Sequence, residues 1–250
     1  MLQALRQPRW LITALVVGLL AAVFVRLGFW QLDRLEERRQ QNLIGEERVA
    51  AAPVDLASLL EDVDGDLAST EYRRVSVEGV FDVAEEVLIR SQVELGQAGF
   101  HVITPISSDE HWSVLVNRGW VPLSMDQPPV AAGAPPGEVE VEGWIHLSQT
   151  KPALGPEDPP GELSVFNRVD IDRIAEQTAY PLAPVYMVLV GEESDDLPIP
   201  VDLPDFEEQG PHLAYAIQWF GFAVVGLVGF FFLLRRKGPS HRVNRDIPRG

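Results

Sequence analysis

Cysteine is absent from the 250 residues of this chain. Disulfide bonds, thiolate zinc sites and a cysteine nucleophile are therefore excluded. Methionine occurs only three times, which leaves little material for a soft-ligand copper site. Histidine is sparse as well: His101, His111, His146, His212 and His241, no two of them spaced as in an HExxH metal helix. The G-x-S-x-G elbow, the phosphate-binding P-loop and the G-x-G-x-x-G dinucleotide turn are all missing. The 37 acids are too many for one carboxylate pair to single itself out, and a solvated surface accounts for them. These omissions point away from an enzyme.

Basic residues are the other shortage: 20 Lys and Arg face 37 Asp and Glu, for a net charge of −17. The shortage is uneven. Arg26 to Glu208 carries 12 basic and 36 acidic residues, net −24, while the two flanks carry 8 basic residues and only Asp246, net +7. An acidic middle repels phosphate backbones, so nucleic acid is not an expected partner.

What the ends hold instead is long uncharged runs. Leu11 to Val25 has no charge, Arg26 interrupts, and Leu27 to Trp30 continues. The whole stretch matches the roughly 20 residues that span a bilayer core. Trp10 and Trp30 bracket it, where indole rings favour the headgroup zone. A cleaved signal peptide would share the basic start and apolar core. However, Val23 to Phe29 are mostly bulky or charged and offer no small-x-small cleavage site, so a retained helix is expected. The second run, Leu213 to Leu234, is uncharged, with Gln218 its one strongly polar residue. Arg6 and Arg9 precede the first run; Arg235, Arg236, Lys237, Arg242, Arg245 and Arg249 follow the second. Both flanks should therefore remain cytoplasmic. The expected layout is a cytoplasmic N-terminus (1–10), a transmembrane helix (11–30), an extracytoplasmic β-rich domain (31–212), a second transmembrane helix (213–234) and a basic cytoplasmic tail (235–250). The membrane would be the cell inner (cytoplasmic) membrane, or the mitochondrial inner membrane in a eukaryote, with lipid as an obligatory partner.

After Trp30 the helical pattern continues for about three turns, and Pro53 to Leu60 reads as a further short helix. From Glu71 the period changes to two, and Tyr72 to Phe81 is valine-rich, as in a half-buried strand. Further strands are expected at Glu86–Arg90, Phe100–Ile106, Trp112–Val116, Trp120–Pro122, Val139–His146 and Tyr186–Val190. Turns are expected at Gly96–Gly99 and Ser107–Glu110. Asp170 to Gln177 reads as a helix capped by Asp170. Pro128–Pro136 and Pro152–Gly161 read as loops, and Pro198–Gly210 as a tether back to the membrane. The expected fold is a membrane protein of α+β class: two transmembrane helices flanking an extracytoplasmic antiparallel β-barrel or sandwich with one or two short helices.

The second apolar run carries the most suggestive side chains. At about 100° per residue, His212, Tyr215, Trp219, Phe222 and Gly226 share one helix face. Histidine above flat aromatic surfaces suits an axial ligand to haem iron. The same rings also suit an interfacial aromatic belt around a merely solvated histidine. Arg26 is costly inside an apolar run unless it snorkels or meets an anion, such as a carboxylate or a haem propionate. Ala14, Gly18 and Ala22 form a small-residue seam for close helix approach, with Gly226 and Gly229 as the matching surface.

Five stretches, in chain order, resemble the Surfeit locus protein 1 family. Leu27-Gly28-Phe29-Trp30-Gln31-Leu32-Asp33-Arg34 resembles its LGxWQLxR motif, and Tyr72-Arg73-Arg74-Val75 through Phe81 its first strand. Gly99-Phe100-His101-Val102-Ile103-Thr104-Pro105 is similar to its TP strand. Val114 through Pro122, with Asn117-Arg118-Gly119-Trp120, resembles its most distinctive motif. His212 to Phe220 is similar to its HLxYAxxWF start of the second helix. The resemblance implies a cytochrome c oxidase assembly factor without turnover of its own, which helps mature subunit I around the haem a step. It places the metal ligand, a candidate for haem iron, at His212, with Tyr215, Trp219 and Arg26 as companions in binding haem a. It places Trp30, Arg118 and Gly119 in motifs without individual roles. Subunit I of the oxidase is the implied partner, with haem a synthase a further one. The alternative is a cofactor-free chaperone or accessory subunit that clamps subunit I.

Overall fold

The computed structural model describes residues 8–94, 96–108, 112–150, 157–191 and 196–236. The chain divides into two compact units, one built from the residues up to Leu43 together with those from Phe206 onward, the other from Ile44 to Asp205.

The first unit is an antiparallel helix pair. Helix α1 runs unbroken over Pro8–Ala50, crossing the division between units, and helix α4 covers His212–Arg236. Both are long and apolar enough to cross a membrane, and little of either apolar stretch is buried. The α1 helix extends well past the three turns expected after Trp30. No proline occurs between Pro8 and Pro53 to stop it, and Gly45 is tolerated inside. The inward residues of α1 are Ala14, Val17, Ala21, Phe24, Gly28, Gln31, Leu35 and Asn42, a heptad-like stripe. Those of α4 include His212, Ala216, Trp219, Phe220, Ala223, Phe230 and Leu234. The expected small-residue seam is corrected here. Gly18 and Ala22 are exposed, and nothing lies within 4 Å of where a Cβ of Gly18, Gly226 or Gly229 would stand. Gly28 is the close-approach site instead: a Cβ there would fall 2.5 Å from the Phe220 ring. The 3.5-residue repeat, not the four-residue one, keeps a stripe on one partner along an antiparallel pair.

The second unit is a closed sheet. Its strands are β1 (Val54–Asp55), β2 (Arg74–Phe81), β3 (Val87–Glu94), β4 (Gln97–Ser107), β5 (Ser113–Pro122), β6 (Glu138–Leu147), β7 (Val165–Phe166) and β8 (Leu182–Leu189). Strands β2, β6, β8, β5 and β4 close a five-stranded barrel, sealed by the pairs Val80–Ser107 and Phe81–Ile106. β3 extends β4, while β1 and β7 add short pairings. The barrel is not purely antiparallel as expected: β5–β8, β1–β2 and β3–β7 are parallel. Alternation along β2 sends Val75, Val77 and Phe81 inward, where they meet Ile106, Val114, Val116, Ile145, Val185 and Met187. On the other face of β5 and β8, Leu115 and Val188 pack under Phe166, Val169, Ile171 and Ile174. β5 is thus buried on both faces, and period two is lost along it.

Several boundaries differ from expectation. Trp112–Val116 and Trp120–Pro122 are parts of one strand, β5, because Asn117-Arg118-Gly119 forms a bulge rather than a turn: Val102 pairs with Gly119 and Ile103 with Asn117, which leaves Arg118 over. At Gly96–Gly99, residues 97–99 already belong to β4; Glu94 of β3 pairs with Gln97, and Gly96 just before it has φ +74°. Ser107 ends β4, and the expected turn at Asp109 and Glu110 lies outside the described residues. Helix α2 is Leu56–Asp62, later than expected because Val54–Asp55 pairs with β2. Asp55 caps it, accepting from the Ser58 amide at 2.8 Å. Asp170 caps α3 (Ile171–Ala175) as its residue type predicts, accepting from the Arg173 amide at 3.3 Å. Of the expected loop Pro152–Gly161, residues 152–156 lie outside the described residues.

Candidate functional site

Within the helix pair, the chain approaches α4 along α1 and is pinned to it three times. The Asn42 amide donates to the Glu208 carbonyl at 3.1 Å, Arg39 Nε donates to Gln209 Oε1 at 3.0 Å, and His212 Nδ1 meets Gln31 Oε1 at 2.9 Å. An amide oxygen only accepts, so with Gln31 Oε1 as its partner a neutral imidazole at His212 carries its proton on Nδ1 and its lone pair on Nε2. Among the described residues Nε2 has no hydrogen-bond partner. Gly210, at φ +68°, leaves the edge of the ring clear: a Cβ there would stand 3.5 Å from Nε2.

Aromatic rings line the helix pair beyond His212. Trp219 stacks on Phe24 with ring centroids 5.7 Å apart, and Phe222 meets Phe24 at 5.9 Å and Trp219 edge-on at 5.8 Å. Tyr215 lies on the same side and is 47% exposed. The structure therefore sets His212, Tyr215 and Trp219 along one flank of α4. It does not bring Arg26 to them. Arg26 is exposed and sits about 200° around α1 from both Phe24 and Gly28, on the face turned away from α4. An anion that met Arg26 would therefore reach it from the outer face of α1, a position that suits snorkelling to a headgroup zone as well. Trp30 is exposed and receives the Arg34 guanidinium 5.9 Å above its ring.

Gln31, Phe24 and Gly210 were not singled out by sequence reasoning. The first two carried a signal: they share the heptad-like stripe with Gly28 and Leu35.

The barrel motifs turn out to be architectural. Arg118 is buried and pairs with Glu86 at 3.1 Å, and its other arm donates to the Ala132 carbonyl at 2.8 Å. Glu86 also accepts from the Thr104 hydroxyl and the Val130 amide, both at 2.7 Å, so both carboxylate oxygens are engaged. Burial pushes the Arg118 pKa down while Glu86 pushes it up. This network fastens the 123–137 loop to the barrel. Gly119 has φ +128°, and a Cβ on it would lie 2.3 Å from the Ile199 carbonyl. That carbonyl instead accepts the Trp120 amide at 2.7 Å. His101 and His146 are half-buried, and burial pushes both down to about 4. His101 Nδ1 meets the Asn117 amide at 3.1 Å, and His146 stacks on Tyr186. An open groove of about 310 Å³ on the barrel is lined by Asp55, Glu78, Ser108, Trp112 and Glu138, part of the acid-rich exterior. Among the described residues no group of three or more His, Cys, Asp or Glu side chains is placed to hold a metal ion.

The model of the SURF1 family matches residues 18–224. A SURF1-like protein of Mycobacterium bovis is 29% identical over 232 residues, covering 90% of this chain and 83% of its own. A SURF1-like protein of Monosiga brevicollis is 28% identical over 241 residues, covering 89% and 88%. Surfeit locus protein 1 of Arabidopsis thaliana is 35% identical over 129 residues, covering 48% of this chain and 36% of its own.

Proposed function

This chain belongs to the SURF1 family, known generally as oxidase assembly factors, and from that premise we propose that it holds haem a at the membrane boundary and delivers it to subunit I of cytochrome c oxidase. The observation that carries the reading is the His212–Gln31 bond, which leaves Nε2 of His212 with a free lone pair, on the same helix as the Trp219 and Phe222 rings that gather around Phe24 about two to three turns further along. The residues present fit such a group. Neutral imidazole nitrogen binds haem iron well, aromatic faces contribute apolar area to a flat macrocycle, and Gly210 keeps the ring edge accessible.

His212 would hold the iron, and Tyr215 and Trp219 would flank the macrocycle. Haem a, when bound, supplies the iron centre that the oxidase subunit needs. The chain's own part is to bind, orient and release, which needs neither a nucleophile nor a proton relay. A single histidine on the rim of a two-helix pair would give a hold that a deeper site in a recipient can overcome. The arginines on both outer flanks support cytoplasmic termini, with the β-barrel on the opposite side of the inner membrane.

Full-length protein purified from cells that make haem a should show a stoichiometric haem spectrum, and His212→Ala should lose it while the protein still inserts and its barrel still folds. Wild-type protein free of haem would instead favour a cofactor-free clamp on subunit I.

A further inference from the structure

Gln31 stands in the apolar stripe of α1, between Gly28 and Leu35, where a leucine would fill the same space. A polar side chain in such a seam is costly unless it is bonded. Its amide oxygen is bonded to one atom, His212 Nδ1, at 2.9 Å. We infer that Gln31 is the positioning residue of the haem site: it fixes the tautomer and ring orientation of His212 so that Nε2 presents its lone pair. This inference rests on the haem a reading above and extends it to a residue on the other helix.

The physical argument has three parts. An unconstrained neutral imidazole favours the proton on Nε2, the form that cannot ligate through that atom. An acceptor at Nδ1 reverses the preference, as the partners of metal-bound histidines generally do. The acceptor must also be held. Gln31 sits in the middle of a long helix, and the segment leading to His212 is tied to the same helix by Asn42 and Arg39. Finally, the exposed edge must stay clear, and Gly210 provides this at a backbone position, φ +68°, that disfavours any side chain. A bond that served only to staple the two helices would need the same tautomer but not the open edge.

The test uses the full-length protein in lipid nanodiscs, titrated with haem a, comparing wild type, Gln31→Leu, Gln31→Glu and His212→Ala. Affinity and the midpoint potential of the bound haem are read together. Gln31→Leu should weaken binding roughly 10- to 100-fold and raise the potential, because the imidazole loses electron density. Gln31→Glu, a stronger acceptor, should retain haem and lower the potential. Opposite shifts in the two variants support the inference, since a helix staple would not move a potential. Unchanged affinity and potential in both, with haem lost only in His212→Ala, would overturn the role of Gln31 and leave the haem reading standing. Undiminished haem binding by His212→Ala would overturn both.

Discussion

In the barrel, glycines stand where a methyl group would strike backbone: a Cβ on Gly79 would lie 2.2 Å from the Ser107 carbonyl, on Gly99 2.2 Å from that of Val121, and on Gly119 2.3 Å from that of Ile199. In the helix pair, Gly18, Gly221, Gly226 and Gly229 would meet nothing within 4 Å. Glycine is thus a steric requirement at these three strand positions and free at those four helix positions, Gly28 being the exception on the helices. Surrounding solvent explains the difference. The barrel folds in water and gains stability by enclosing apolar side chains, so its backbones close on one another. The helix pair presents Leu15, Leu19, Val225 and Phe232 outward, and for helices of such length and apolarity in a bilayer the surrounding lipid would be as apolar as any core. Its specificity is confined to one stripe, where Gly28 admits the Phe220 ring and Gln31 meets His212.

Removing a buried charge should separate the two units most sharply. Glu86→Ala leaves Arg118 uncompensated in the barrel and frees the 123–137 loop, and should cost on the order of 3–5 kcal/mol. Denaturant unfolding of the full-length protein in detergent measures it; helix-pair insertion should be untouched. An unmoved midpoint would show that the buried pair is not needed.

Gly119→Val comes next. Strain at a positive φ alone costs on the order of 1–3 kcal/mol, and the clash with the Ile199 carbonyl adds to it. Thermal melting should fall, and oxidase content in cells depending on the variant should fall with it.

Acid should loosen the barrel more gradually. His101 and His146 titrate near 4 when folded and near 6.5 when unfolded. Between those values the unfolded chain binds more protons. Their contribution is therefore complete above 6.5 and is lost as pH falls towards 4. Each histidine adds at most about 1.4 kcal/mol per pH unit over that window. His146→Phe should flatten the slope of unfolding midpoint against pH; an unchanged slope would remove His146 from the account.

The smallest effect is expected for Gly229→Ala, with no measurable loss of insertion or helix pairing, whereas Gly28→Val should loosen the pair because the Phe220 ring occupies that space. A loss at Gly229 as large as at Gly28 would mean that a further helix covers the outer face.

Elements defined by local spacing were the most readable. The two long apolar helices follow from uninterrupted apolar length, β2 from alternation, and the α3 cap from Asp170. The elements misread are those whose local signals oppose their pairing. Asn117-Arg118-Gly119 carries turn residues yet runs inside β5, because the Asn117 and Arg118 side chains find buried partners and the bulge absorbs the extra residue. At the candidate site, His212, Tyr215 and Trp219 share a face by spacing within one helix. Gln31 lies 181 residues away in the chain, and no periodicity on α4 points to it. Glu86 was hidden for another reason: among 36 acids in the middle of the chain, nothing local marks Glu86 as a buried one.

By itself, the sequence determined what depends on near neighbours and on bulk chemistry: two bilayer-length helices, an acidic β-rich middle, no cysteine chemistry, and a histidine above aromatic rings. Tertiary structure alone decided which strands are parallel, that Arg118 pairs with Glu86, that Arg26 faces away from α4, and which nitrogen of His212 is free. Each of these depends on residues far apart in the chain meeting at hydrogen-bond range, where a displacement of about one ångström makes or breaks the contact.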